Sequence, residues 1–211
     1  MTDIKLISLD VDGTLLTSTG ELLDQNKSAI QEAIRNDIHV VLNSGKPPCA
    51  LEGLIPELGL KDPISTMGGA LILDITDPED WNVIHLENLP DDILFKLAPL
   101  VEGLPLTIQI HTEQETYFYH EKDDEEYRAY FKGFLNKNAF RGGVFLDRSP
   151  LLEFDQDPSP IIKIVFHSDE DEPVDEAFQR IKGIENEIIM IGYSSPRTID
   201  LSPRASGKRK R

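Results

Sequence analysis

The stretch Asp10-Val11-Asp12-Gly13-Thr14 follows directly on the run Ile4-Lys5-Leu6-Ile7-Ser8-Leu9. The run reads as a buried β-strand over residues 4–10, and the stretch as the turn at its carboxyl end. In open α/β sheets, ligands bind just beyond the carboxyl ends of the strands. Two carboxylates two residues apart at such a place repel each other, and a cation or a proton relieves the repulsion. The pair suits divalent-metal chemistry on phosphate, with one carboxylate attacking and the other moving protons. A calcium-binding loop fits less well. The sixth residue counted from Asp10 is Leu15 rather than the glycine such a loop needs, and the flanks are strand-like.

Working outward, residues 24–36 read as a helix with Ile30, Ala33 and Ile34 on one face and Asp24 as N-cap. Ile38-His39-Val40-Val41-Leu42 reads as a second strand, running into Asn43-Ser44-Gly45-Lys46. No glycine stands five residues before Gly45, so Gly45-Lys46 is not a P-loop. A short helix follows at about 50–58. A third strand at 63–66 leads into Met67-Gly68-Gly69 and Ala70-Leu71-Ile72-Leu73. Alternating strands and helices with short connections predict an α/β fold, a parallel sheet wound by right-handed crossovers.

The texture changes at the polar segment 76–80. Beyond it the pattern predicts a helix at 90–102, a hairpin with strands at 106–111 and 115–120, and a helix at 123–136. Strands follow at 151–155 and 160–167, then a helix at 173–182 and strands at 187–193 and 197–201. This half reads as an α+β unit with mostly antiparallel strands. The acidic runs 121–126 and 169–172 read as solvated helix starts or loops.

The chain has 211 residues, enough for one sizeable domain or a small core with an insertion. Its net charge of −17 argues against nucleic-acid binding and against an anionic membrane surface. No apolar run approaches the ~20 residues of a membrane span. The first strand begins too early to leave room for a signal peptide. A single cysteine, Cys49, excludes an internal disulfide and fits a reducing compartment, so the expected location is cytoplasmic. The five histidines show no zinc-ligand spacing.

Three stretches together resemble the haloacid dehalogenase (HAD) superfamily of phosphohydrolases, and within it the Cof-type, class IIB branch. Leu9-Asp10-Val11-Asp12-Gly13-Thr14-Leu15-Leu16 matches the superfamily's first motif, Ser44-Gly45 its second, and Ile64-Ser65-Thr66-Met67-Gly68-Gly69-Ala70-Leu71-Ile72 resembles a segment of the branch. The resemblance implies a Rossmann-like core, residues 1–77 plus 196–211, with an inserted α+β cap at 78–195 that closes over the site. It implies a phosphatase acting on small phosphorylated metabolites such as sugar phosphates. Asp10 would be the nucleophile forming an aspartyl-phosphate. Asp12 would protonate the leaving alkoxide and then activate water. Mg²⁺ would be held by the Asp10 carboxylate and the Asp12 backbone carbonyl. Gly13 would permit the turn, and Thr14 would orient the loop. Ser44 and Gly45 would hydrogen-bond the phosphoryl oxygens. Lys208, five residues after Pro203, would be the phosphate-binding lysine.

The sequence departs from the branch pattern in four places. Lys46 stands in place of the usual arginine, which keeps the charge but loses the fork. Gly68 stands in place of an asparagine. Arg209-Lys210-Arg211 follows Lys208 where the family continues into a helix. The family's last motif, a Gly-Asp pair with further acids, is absent. The expectation is therefore a shortened chain with weakened metal affinity. Its Leu6–Leu9 segment would form an unpaired apolar edge open to self-association. The alternative function is a phosphometabolite-binding module or a non-functional fragment.

Overall fold

The computed structural model describes residues 4–77, 80–120, 128–129, 143–152, 154, 157–186 and 188–204. The chain divides into two units, with the break between Leu86 and Glu87.

The first unit is a five-stranded sheet of order β1-β2-β3-β4-β5. Strand β1 is Leu6–Asp10, β2 His39–Asn43, β3 Ile64–Thr66, β4 Leu71–Asp74 and β5 Asn82–Leu86. Helix α1 (Asp24–Arg35) and the short α2 (Leu54–Leu58) make the crossovers. Strands β1, β2 and β3 run parallel, with Asp10 opposite Asn43 and Asn43 opposite Ser65. The expected parallel α/β wind is therefore present, but the sheet is mixed. Met67, Gly68 and Gly69, at φ +51°, +71° and +97°, reverse the chain after β3, so β4 returns antiparallel. A parallel return needs a crossover of a dozen or more residues, and only four residues separate β3 from β4.

Strand β1 is not the buried strand expected from its sequence. It ends the sheet, and among the described residues it pairs with β2 alone. Ile4 is 62% and Leu6 56% exposed. This is the apolar edge anticipated from the sequence. Asp24 is the first residue of α1 rather than its N-cap; Leu23 holds that position without a side-chain cap bond. An acid in the first turn still favours the positive end of the helix dipole.

The second unit is a six-stranded sheet of order β10-β11-β9-β6-β7-β8. Strands β6 (Thr107–His111) and β7 (Thr116–His120) form the expected hairpin. Strand β8 is Val144–Phe145, β9 Lys163–His167, β10 Ile189–Ser195 and β11 Thr198–Pro203. All pairings are antiparallel except β7 with β8. Helices α3 (Ile93–Val101) and α4 (Asp171–Ile181) cover one face. Leu97, Val174 and Ala177 pack there against Ile108, Ile110, Ile164, Phe166, Ile199 and Leu201. In β6 and β11 these residues alternate with polar ones, as a sheet with one helix-covered face requires; in β9 the residue between Ile164 and Phe166 is the buried Val165.

The expected boundaries move. Residues 198–203, assigned from the sequence to the core, lie between β10 and β9 in the second sheet, with Ile199 and Leu201 fully buried there. Residues 82–86, assigned to the cap, pair with β4 in the first. No strand forms at Leu151 and Leu152, which lie in a turn, whereas the unanticipated β8 pairs with β7. The helix expected at 123–136 and the acidic run 121–126 fall almost wholly outside the described residues. No described helix is long and apolar enough to cross a membrane.

Candidate active site

The carboxyl ends of β1 and β2 are neighbours in register, so the loops that leave them meet. Asp10 closes β1, and the chain then tightens: Leu15 and Leu16 N–H donate to the Val11 carbonyl at 3.1 and 2.8 Å. Val11 and Leu15 point inward, 0% and 3% exposed, which turns Asp10, Asp12 and Thr14 outward. Gly13 sits at φ +76°, a conformation that costs a side-chain-bearing residue about 1–2 kcal/mol. Thr14 Oγ1 lies 3.4 Å from Asp10 Oδ2, a long contact that orients the loop only weakly.

Ser44 leaves the end of β2 and is 3% exposed. Its N–H donates to the Ser65 carbonyl at 2.9 Å, and its own carbonyl accepts from Gly68 N–H at 3.0 Å. Its Oγ accepts from Lys46 N–H at 3.1 Å. In these bonds the hydroxyl oxygen accepts, which leaves its O–H to donate. Asn43 Oδ1 accepts from Ser65 Oγ at 3.1 Å, tying β2 to β3 below the loop. Met67 N–H donates to the Lys46 carbonyl at 3.0 Å. The turn after β3 is thus strapped to the Ser44–Lys46 loop at two backbone points. A buried non-glycine residue at positive φ, here Met67 at 2% exposure, persists only where its surroundings fix it.

Lys46 joins the two loops. Its Nζ lies 3.3 Å from Asp12 Oδ1, with the lysine side chain 18% and the aspartate 60% exposed. The structure therefore brings Asp10, Asp12 and Ser44 to one end of the first sheet. Gly45 is exposed in the same loop. Lys208 lies outside the described residues. Sequence reasoning saw Lys46 as a replaced arginine but missed it as the partner of Asp12. The available signal was a basic residue three positions past the end of one strand, with the neighbouring strand ending in an acid.

Among the described residues no three His, Cys, Asp or Glu side chains cluster as a metal cage. The donors at the end of β1 are hard oxygens on an exposed turn. Mg²⁺ is commonly held by one or two carboxylates, with waters and substrate phosphate completing its shell, so this donor set fits such an ion.

The family model described as haloacid dehalogenase-like hydrolase matches residues 7–211. The chain is similar to phosphatase YwpJ of Bacillus subtilis, 35% identical over 114 residues, which cover 54% of this chain and 39% of that protein. It is also similar to the 5-amino-6-(5-phospho-D-ribitylamino)uracil phosphatase YcsE of the same organism, 38% identical over 90 residues, 43% of this chain and 34% of that one. The matches thus span little more than a third of these relatives. Among solved structures, a haloacid dehalogenase-like hydrolase from B. subtilis superposes with a TM-score of 0.74 at 21% identity, covering 95% of this chain and 74% of that one. A HAD subclass IIB sugar phosphatase gives 0.70 at 18% identity, covering 95% and 70%. With its first motif at the end of β1 and its second at the end of β2, the chain belongs to the haloacid dehalogenase-like hydrolase family.

Proposed function

We propose that the chain is a Mg²⁺-dependent phosphatase acting on small phosphate monoesters of the sugar-phosphate kind. The observation that carries this reading is the convergence of two carboxylates, a buried serine hydroxyl and an ammonium where β1 and β2 end side by side. Asp10, exposed and free to approach phosphorus, is the nucleophile. Its oxygen forms a bond to phosphorus while the ester P–O bond breaks. Asp12 gives its proton to the departing alkoxide. Asp12 then takes a proton from water as that water attacks the aspartyl-phosphate, releasing inorganic phosphate and restoring Asp10. Ser44 O–H donates to a phosphoryl oxygen, and Lys46 offsets its charge. Mg²⁺, held by the Asp10 carboxylate and the Asp12 backbone carbonyl, would neutralise charge between nucleophile and phosphate. The uracil phosphatase and the sugar phosphatase similar to this chain support the substrate class. The net charge of −17 supports neither a nucleic-acid nor an anionic-membrane partner.

The test is hydrolysis of p-nitrophenyl phosphate by the 211-residue chain with Mg²⁺, with EDTA, and as Asp10→Asn. Activity that requires both Mg²⁺ and Asp10 is expected. Hydrolysis that survives Asp10→Asn would refute the assignment.

A further inference from the structure

Lys46 sits where two anions would share one ammonium. Its backbone is fixed on both sides, N–H to Ser44 Oγ and carbonyl to Met67 N–H. Its side chain is only 18% exposed, so its stem lies along the protein with few rotamers left to it. Asp12 is the opposite case. It is 60% exposed on a glycine turn, where an aspartate otherwise samples several χ1 wells. The 3.3 Å contact with the constrained ammonium therefore selects the direction of a side chain that its own loop leaves loose. The same lysine is joined through its N–H to the hydroxyl that would hold the phosphoryl group.

We propose that Lys46 is the positioning residue for Asp12, and that its ammonium is shared between that carboxylate and an oxygen of a bound phosphate monoester. This rests on the phosphatase reading. An ammonium carries three donors and no acceptor, so one proton can remain on Asp12 while another reaches phosphate. Phosphate seated at Ser44 then takes one donor of the constrained ammonium, while another holds Asp12 toward the oxygen that must be protonated. A guanidinium instead presents a planar fork suited to holding one anion with two parallel bonds. Lysine in place of arginine thus changes how the site divides its positive charge.

Two measurements test this. The first is kinetic. A nitrophenolate leaves without much help, whereas an alkoxide needs a proton from Asp12. Lys46→Met should lower kcat for an alkyl phosphate roughly 10-fold more than for p-nitrophenyl phosphate, as expected for a misplaced acid. Lys46→Arg should recover part of the difference, and none of it should remain in an Asp12→Asn background. Equal losses on both substrates would overturn the proposal, because a merely structural role lowers both alike. The second is spectroscopic and needs no turnover. Inorganic phosphate is added in EDTA while the Ser44 amide and the Asp12 carboxyl carbon are followed by NMR. Both should move in the wild type, and in Lys46→Met the Asp12 signal should stay still at phosphate levels that shift Ser44. A Ser44 shift with a static Asp12 in the wild type overturns this proposal alone. No Ser44 shift together with no hydrolysis overturns the phosphatase reading and this proposal with it.

Discussion

Asp10 and Asp12 stand two residues apart yet meet different surroundings: a threonine hydroxyl at long range for the first, a lysine ammonium for the second. In the proposed function Asp10 is the nucleophile and Asp12 the acid–base group. Asp12→Asn is expected to lower kcat about 100- to 10,000-fold, the span usual for a lost general acid or base. Ser44→Ala is expected to cost roughly 100-fold, since it removes one donor from the phosphoryl oxygens. Steady-state kinetics on p-nitrophenyl phosphate checks the serine, and an alkyl phosphate checks the aspartate. His111 makes a different prediction. Burial, reinforced by the positive charge of Lys163, pushes it down from 6.5 to about 3. The unfolded chain therefore takes up a proton below pH 6.5 that the folded one refuses. Stability should fall as pH drops from 6.5 toward 3, by about 2 kcal/mol at pH 5. Urea denaturation at pH 7 and pH 5 should show this loss, and His111→Gln should shrink it.

At the scale of elements, β11 is the informative strand. Its Thr198-Ile199-Asp200-Leu201 alternation shows which residues turn inward but not which sheet receives them. Pairing is a non-local choice, settled here by the burial of Ile199 and Leu201 against Ile164 and Phe166. Ile199→Ala should destabilise the second unit by about 2–5 kcal/mol in urea unfolding. If residues 196–211 instead belonged to the first sheet, that unit would carry the loss. The hairpin β6–β7, helices α1, α3 and α4, and the first two strands were all legible from local periodicity. Strand β8 was not, because two residues hold no period. It exists through its pairing with β7 and the bond from Leu146 N–H to the Phe118 carbonyl at 2.8 Å. Strand β5 was hidden by its exposure: Asn82, Val83 and Ile84 all face solvent and lack the alternation that marks a half-buried strand. At the site, Asp10 and Asp12 were legible because one closes a strand and the other follows it, whereas Ser44 came from the resemblance of Ser44-Gly45 to the family's second motif. The Lys46–Asp12 pair was not, since it depends on β1 and β2 being neighbours.

For the whole molecule, the open side of β1 has consequences. Leu6 and Ile4 are exposed beside a row of strand backbone groups that no described strand satisfies. Such an edge pairs readily with another chain. We expect concentration-dependent self-association, read by light scattering, that Leu6→Lys reduces. Opposing it is the net charge of −17, so association should strengthen as salt screens the repulsion. The proposed function routes phosphoryl transfer through Asp10. Its most direct test is acid quenching of the 211-residue chain during turnover of a phosphate monoester with Mg²⁺, followed by peptide mass spectrometry. A phosphoryl group is expected on the peptide carrying Asp10, absent in EDTA and in Asp10→Asn. Turnover with no phosphoryl adduct on that peptide, or with one on another residue, would contradict it.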